Sequence, residues 1–126
     1  MSYLIVFLGA GIGGALRHGV NLGAGRWLTQ GFPYGTLIVN VIGSLLIGVL
    51  AGLFLTRPGM AQDMRLFLTT GVLGGFTTFS AFSLDAALLI QRDAWLAAVA
   101  YVLGSAILGL MAFFAGLSLF RAGIFT

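Results

Sequence analysis

The sequence predicts an all-α integral membrane protein with four transmembrane helices, and three observations carry that prediction. The first is the scarcity of charge: 126 residues hold six Arg, three Asp, no Lys and no Glu. Charged residues make up 7% of the chain, against about 25% in an ordinary soluble domain. With 60% of residues apolar and a mean hydropathy of +1.10, a water-soluble globule could not cover its own apolar surface. The second observation is that the charges bound four long apolar stretches. The third is glycine, 20 of 126 residues or about 16%, roughly twice the usual 7%. Glycine is favoured where membrane helices pack closely.

A bilayer core of about 30 Å needs about 20 apolar residues as helix. The expected spans are 3–22, 35–55, 66–91 and 95–120, joined by short loops, which together make residues 1–126 a single four-helix transmembrane domain. Tyr3 to Leu22 is apolar except for Arg17 and His18, and Trp27 to Thr56 carries no charge. Leu66 to Leu84 is uncharged and its helix is expected to run on past Asp85 to Gln91, while Ala94 to Phe120 is again free of charge. Gly31-Phe32-Pro33, Arg57-Pro58-Gly59 and Arg92-Asp93 punctuate the connections. Trp27, Tyr34 and Trp95 fall near span ends, where aromatic residues anchor helices at the interface. Residues 1–16 lack the positive n-region of a signal peptide.

The chain has no Cys, which excludes disulfides and thiolate metal sites. Its net charge of +3 comes from six scattered Arg. A nucleic-acid partner needs clustered Lys and Arg, so none is expected. The arrangement of the Arg residues also bears on orientation. Four spans put the N-terminus, second loop and C-terminus on one side with Arg57, Arg65 and Arg121, and the opposite side holds Arg26, Arg92 and, near its span end, Arg17. The positive-inside bias is close to nil. A single weakly preferred orientation and a dual topology with antiparallel pairing are both compatible with that balance. A four-helix unit this small encloses little alone, so a two-fold homodimer is expected.

Several residues are out of place in lipid. Gly71 to Ser83 combines three glycines with Thr77 and Thr78 near the middle of the third span, and these are poor helix formers. Such a segment serves either close packing or a broken helix, and unwound backbone at membrane depth must be buried in protein or line a cavity. Phe79 and Phe82 share a helix face that Asp85 continues, with Ser80 and Ser83 on a second, hydroxyl-bearing stripe. The Phe pair is either core or part of a polar passage. Asn40, among apolar neighbours in the second span, either locks two helices together or lines a pore as an amide donor. Arg17 lies about 21 Å from Tyr3 at 1.5 Å per residue, near the far interface, and Asp85 is expected near an interface with an Arg partner. Tyr101, Ser105 and Gly109 follow at four-residue steps on one face of the fourth span, as a hydroxyl ladder or as packing. Nucleophile-elbow, zinc-protease, P-loop and dinucleotide motifs are missing, and no enzymatic activity is expected.

Three motifs then converge: Gly13-Gly14-Ala15-Leu16-Arg17, Gly35-Thr36-Leu37-Ile38-Val39-Asn40, and the most specific, Gly74-Gly75-Phe76-Thr77-Thr78-Phe79-Ser80-Ala81-Phe82-Ser83. In these the chain resembles, end to end, the Fluc/CrcB family of fluoride-exporting channels. The resemblance implies a dual-topology, antiparallel homodimer in the bacterial plasma membrane, its third helix broken near mid-membrane, with two fluoride pathways. It implies a structural Na⁺ at the dimer centre held by backbone carbonyls of Gly74 and Thr77. It assigns Asn40, Phe79, Phe82, Thr78, Ser80, Tyr101 and Ser105 to the fluoride pore, with Arg17 and Asp85 as pore or vestibule charges. Asp85 stands where a Glu is common in the family, Gly109 where some members carry another hydroxyl, and His18 where an aromatic is frequent.

The chemistry suits such an ion. Fluoride is small and strongly hydrated, so a pore must replace its water with donors, which Asn amides and Ser, Thr and Tyr hydroxyls supply. The positive edge of a Phe ring receives an anion without the full charge that would trap it. The competing class, a small multidrug transporter of similar topology, depends on an acidic residue in its first span, and residues 3–22 have none. A non-transporting scaffold subunit would not require Asn40 or the Thr-rich segment.

Overall fold

Charge spacing and helix length translate into four runs long and apolar enough to cross a membrane: Ser2–Trp27, Tyr34–Thr56, Gln62–Gln91 and Trp95–Phe120. The computed structural model describes residues 1–29 and 31–121, with only the backbone of Arg121. The first two runs are α1 (Ser2–Trp27) and α2 (Tyr34–Thr56). The third is composite: α3 (Gln62–Leu66), a π-helical stretch Phe67–Leu73, α4 (Gly74–Phe76) and α5 (Phe79–Gln91). The last is α6 (Trp95–Arg121). No strand occurs among the described residues.

The helix ends follow from local chemistry. Pro33 precedes the first residue of α2, and Arg57, whose backbone leaves the helical region before Pro58, ends it. At the far end of α5, Asp93 turns the chain with φ of 60°. Two boundaries differ from the sequence expectation: the third run begins at Gln62, four residues before Leu66, and α1 ends later than expected. No proline interrupts residues 22–27, so α1 passes Leu22 and reaches Trp27, and Arg17 lies ten residues before its end. At 1.5 Å per residue that is about 15 Å of further helix.

Glycine sets how the helices meet. α2 packs most extensively on α6. A Cβ added at Gly48 would overlap the Phe113 carbonyl oxygen, and one at Gly116 the Leu45 carbonyl. On the other side of the bundle α1 lies against the π-helical stretch and α4, where a Cβ at Gly9 would sit 2.8 Å from the Gly71 Cα, and one at Gly75 would collide with the Ala10 carbonyl. At these four positions backbone meets backbone. A small apolar core of Leu89, Ala98 and Tyr101, with Phe82 packed against it, joins α5 to α6. Large apolar side chains such as Phe7, Leu96 and Phe114 point outward, which suits lipid or a second protein surface better than water.

Candidate functional site

The site is built around the turn between α4 and α5. Gly74 and Gly75 propagate a helix weakly, and Thr77 and Thr78 are β-branched residues that favour extended backbone. Thr77 (φ −82°, ψ 158°) and Thr78 (φ −152°, ψ 119°) are both extended. The hydroxyl of Thr78 then caps α5, accepting the Ala81 N–H at 3.1 Å. An extended residue between helices leaves its peptide groups in need of partners, and Asn40 on α2 provides them. Its amide Nδ2 donates to the Thr78 carbonyl at 3.0 Å, and its Oδ1 accepts the Thr78 N–H at 2.9 Å. Asn40 thus joins α2 to the third run, and it also lines an open cleft beside this turn.

That cleft, about 530 Å³, is enclosed by α2, the third helical run and α6. Its walls hold Asn40, Thr77, Thr78, Phe79, Phe82 and Ser105, and none of its lining residues carries a formal charge. The rings of Phe79 and Phe82 lie side by side with centroids 5.7 Å apart and planes tilted by 39°. Phe79 is 79% exposed, while Phe82 is half-buried against Tyr101 at 5.2 Å. The Ser105 hydroxyl is buried in the cleft wall with no hydrogen-bond partner. Among the described residues it is a donor without an acceptor, a state with a cost unless a ligand or water completes it.

The remaining expected site residues are distributed elsewhere. Tyr101 is fully buried and lies outside the lining of this cleft; its hydroxyl donates to Asp85 at 3.2 Å. The partner of Asp85 is thus a phenol, where the sequence suggested an arginine. The reason is register: Asp85 on α5 faces α6, whereas Arg92 reaches instead across to the Gly31 carbonyl in the α1–α2 connection. Asp85 and Arg92 share a second cavity of about 400 Å³ beneath that connection. Arg17 is half-buried and lines a third cleft of about 520 Å³ with His18, Asn21, Thr78 and Ser80. Ser80 is exposed there, 3.3 Å from the Thr78 hydroxyl. The structure brings Asn40, Thr78, Phe79, Phe82 and Ser105 to one cleft, sets Arg17 and Ser80 on the other face of the same turn, and keeps Tyr101 and Asp85 together behind it.

Known proteins share this sequence across all four runs. The family described as CrcB-like protein, Camphor Resistance (CrcB), matches residues 4–117. The chain belongs to the CrcB family. Its relatives include proteins named fluoride-specific ion channel FluC from Methylobacterium nodulans, 58% identical over 121 residues that cover 96% of this chain and 97% of the relative. The FluC of Rhodopseudomonas palustris strain BisB5 is 56% identical over 122 residues, covering 97% of this chain and 98% of the relative. That of Granulibacter bethesdensis is 54% identical over 121 residues, covering 96% and 95%.

In this CrcB chain three features of the site escape sequence reasoning. The π-helical stretch places Thr69 on the cleft, where its hydroxyl donates back to the Arg65 carbonyl at 2.7 Å. Gly43 admits the Thr77 methyl against α2. Ser44 joins the cleft wall one turn after Asn40, and the four-residue step from Asn40 is a signal by which it can be found.

The turn also releases backbone carbonyl oxygens from the helical hydrogen-bond ladder. The regular helical acceptor of the Thr78 N–H is the Gly74 carbonyl, but that N–H goes to Asn40. Gly74, an exposed lining residue of the cleft, therefore has a carbonyl released from its i+4 donor. The extended backbone at Thr77 likewise takes its carbonyl out of the helical ladder. Neutral carbonyl oxygens are hard donors and suit an alkali cation such as Na⁺. No cluster of His, Asp or Glu that would hold a transition metal occurs among the described residues.

Proposed function

We propose that this chain forms a passive fluoride-selective channel that lets cytoplasmic fluoride leave the cell, assembled as an antiparallel dual-topology homodimer with two pores. The observation that carries this reading is the uncharged cleft in which an Asn amide, two Phe rings and an unpartnered Ser hydroxyl converge. The names of the relatives favour fluoride as the ion. A dehydrated anion passes such a wall through partial positive charges: the second Asn40 N–H, hydroxyl hydrogens and the edges of Phe79 and Phe82. A fixed cation in the path would instead hold the ion, and conduction needs binding weak enough to release it. Arg17, in the neighbouring cleft, raises the local anion concentration without standing in that path.

The plasma membrane is the site of action in this reading, since weak acids enter cells neutral and ionise inside. The carbonyls of Gly74 and Thr77 would hold a structural Na⁺, which would supply positive charge between the two extended turns of the dimer. Asn40 fixes the turn that presents those carbonyls, and Thr78 caps the helix that carries the Phe pair.

The test is fluoride efflux from liposomes containing only the purified protein, read with a fluoride electrode. Electrogenic fluoride efflux without ATP or a proton gradient supports the channel, and its absence in correctly assembled dimers refutes it. Adding two or three Lys to one end should abolish function in a variant expressed alone. Co-expression with an oppositely biased variant should restore it, and full activity from a one-way population would sink the antiparallel arrangement.

A further inference from the structure

We propose that Ser44 of α2 is a fluoride-contacting donor that continues the hydroxyl row of α6 where α6 itself has none. The inference rests on the channel reading above and adds to it a residue from a different helix.

On α6, Tyr101, Ser105 and Gly109 follow at four-residue steps and share a face. The Tyr101 hydroxyl is committed to Asp85, so the first donor of this row that is available to the cleft is Ser105, whose hydroxyl is buried and unpartnered. One turn further on, Gly109 brings no side chain. What stands there is Ser44: a Cβ built on Gly109 meets a single heavy atom within 4 Å, the Ser44 Oγ, at 3.5 Å. Ser44 lines the same cleft as Ser105, Phe79 and Phe82 and follows Asn40 by one helical turn.

The use of the other hydroxyls singles it out. Thr69, Thr77 and Thr78 also line the cleft, but Thr69 donates to the Arg65 carbonyl at 2.7 Å, Thr77 to the Leu73 carbonyl at 2.9 Å, and the Thr78 hydroxyl accepts the Ala81 N–H and pairs with the Ser80 hydroxyl. The Thr69 and Thr77 protons are spent on their own helix, as is usual for hydroxyls in apolar helices. The Ser44 hydroxyl makes no such bond among the described residues. A small anion stripped of water needs several O–H or N–H donors at once. The second Asn40 N–H, Ser44 and Ser105 form that set on two facing helices. The ion then passes from the α6 hydroxyl to the α2 hydroxyl at the turn where glycine leaves a gap.

The experiment uses the full-length protein in liposomes, with fluoride efflux normalised to dimer content, and compares wild type, S44A and S44A/G109S. S44A should lose about tenfold or more in flux per dimer, the effect of one missing hydrogen bond to a charged group. G109S places a hydroxyl on the opposite wall, in space that S44A leaves open, and should restore most of that flux. Wild-type flux in S44A overturns the inference. So does a defect that G109S fails to rescue, or a fall in dimer content with normal flux per dimer, since either makes Ser44 a packing residue. A wild-type protein that passes no fluoride overturns the channel reading and this inference with it.

Discussion

Replacing Asn40 with Ala removes both hydrogen bonds that hold Thr78 in its extended conformation, and the size of the effect can be worked from the geometry. The bonds are 3.0 and 2.9 Å long and join positions 38 apart in sequence. Leaving a buried peptide donor or acceptor unmet costs about 1–3 kcal/mol. Two such groups would cost about 2–6 kcal/mol if Thr78 were sealed off. Thr78 is 7% exposed but borders the open cleft, so entering water recovers part of that cost and the lower end applies, about 2 kcal/mol. Local opening at the turn then becomes about thirtyfold more frequent, at 1.4 kcal/mol per decade. Hydrogen exchange of the Thr78 amide in detergent micelles reads this directly. Amides in the middle of α2 and α6 serve as internal controls. Exchange at Thr78 that is unchanged in Asn40→Ala would falsify the argument that Asn40 holds the turn. Uniformly faster exchange in every helix would instead point to global destabilisation.

Phe79→Ile and Phe82→Ile broadly keep apolar bulk but remove the ring edge; each should sharply reduce fluoride flux per dimer in liposomes, and normal flux in both rules out a ring-edge contact. Gly48→Ala places a methyl on the Phe113 carbonyl and should destabilise the α2–α6 pair by about 1–3 kcal/mol, measured by denaturant titration in micelles; Gly11→Ala, which meets nothing within 4 Å, is the control that gains the helix propensity of Ala, about 0.5–1 kcal/mol, without a clash. Asp93 has φ of 60°, so Asp93→Gly should raise stability by up to about 1 kcal/mol and Asp93→Val should lower it; equal stability of the two variants would mean that the positive φ carries no strain.

The sequence makes much of this architecture legible because lipid imposes a coarse rule. Gaps between nine charges locate four helical runs, and the Gly-Gly-Phe-Thr-Thr segment marks the place of weakest helix propensity. What remains hidden depends on helix rotation. Asn40 and Thr78 are 38 positions apart, and nothing local in either segment says that an amide on α2 will face a peptide group on the third run. Asp85 finds Tyr101 rather than an arginine for the same reason, since its partner is decided by which face of α6 lies opposite. The continuation of α1 past Leu22 is hidden because Arg17 has the character of a span-end charge, although residues 22–27 hold no proline. Ser44 is a subtler case. Its four-residue step from Asn40 is visible, but its approach to Gly109 is a property of two helices together.

The seam between α1 and the third run has a consequence for how this protein tolerates change over evolutionary time. Gly9, Gly13 and Gly75 meet neighbouring backbone with no room for a methyl group, and every single-nucleotide route away from glycine adds atoms. Outward-pointing residues such as Phe7 and Leu96 face the opposite situation wherever they meet lipid, since there any apolar side chain serves equally well. Mutational tolerance is therefore sharply two-sided along one helix, permissive on its outer face and nearly closed on its inner one. A saturation library of α1 scored for fluoride resistance should read out as a stripe of period 3.6, with the intolerant positions tracing the seam and the tolerant ones tracing the bilayer.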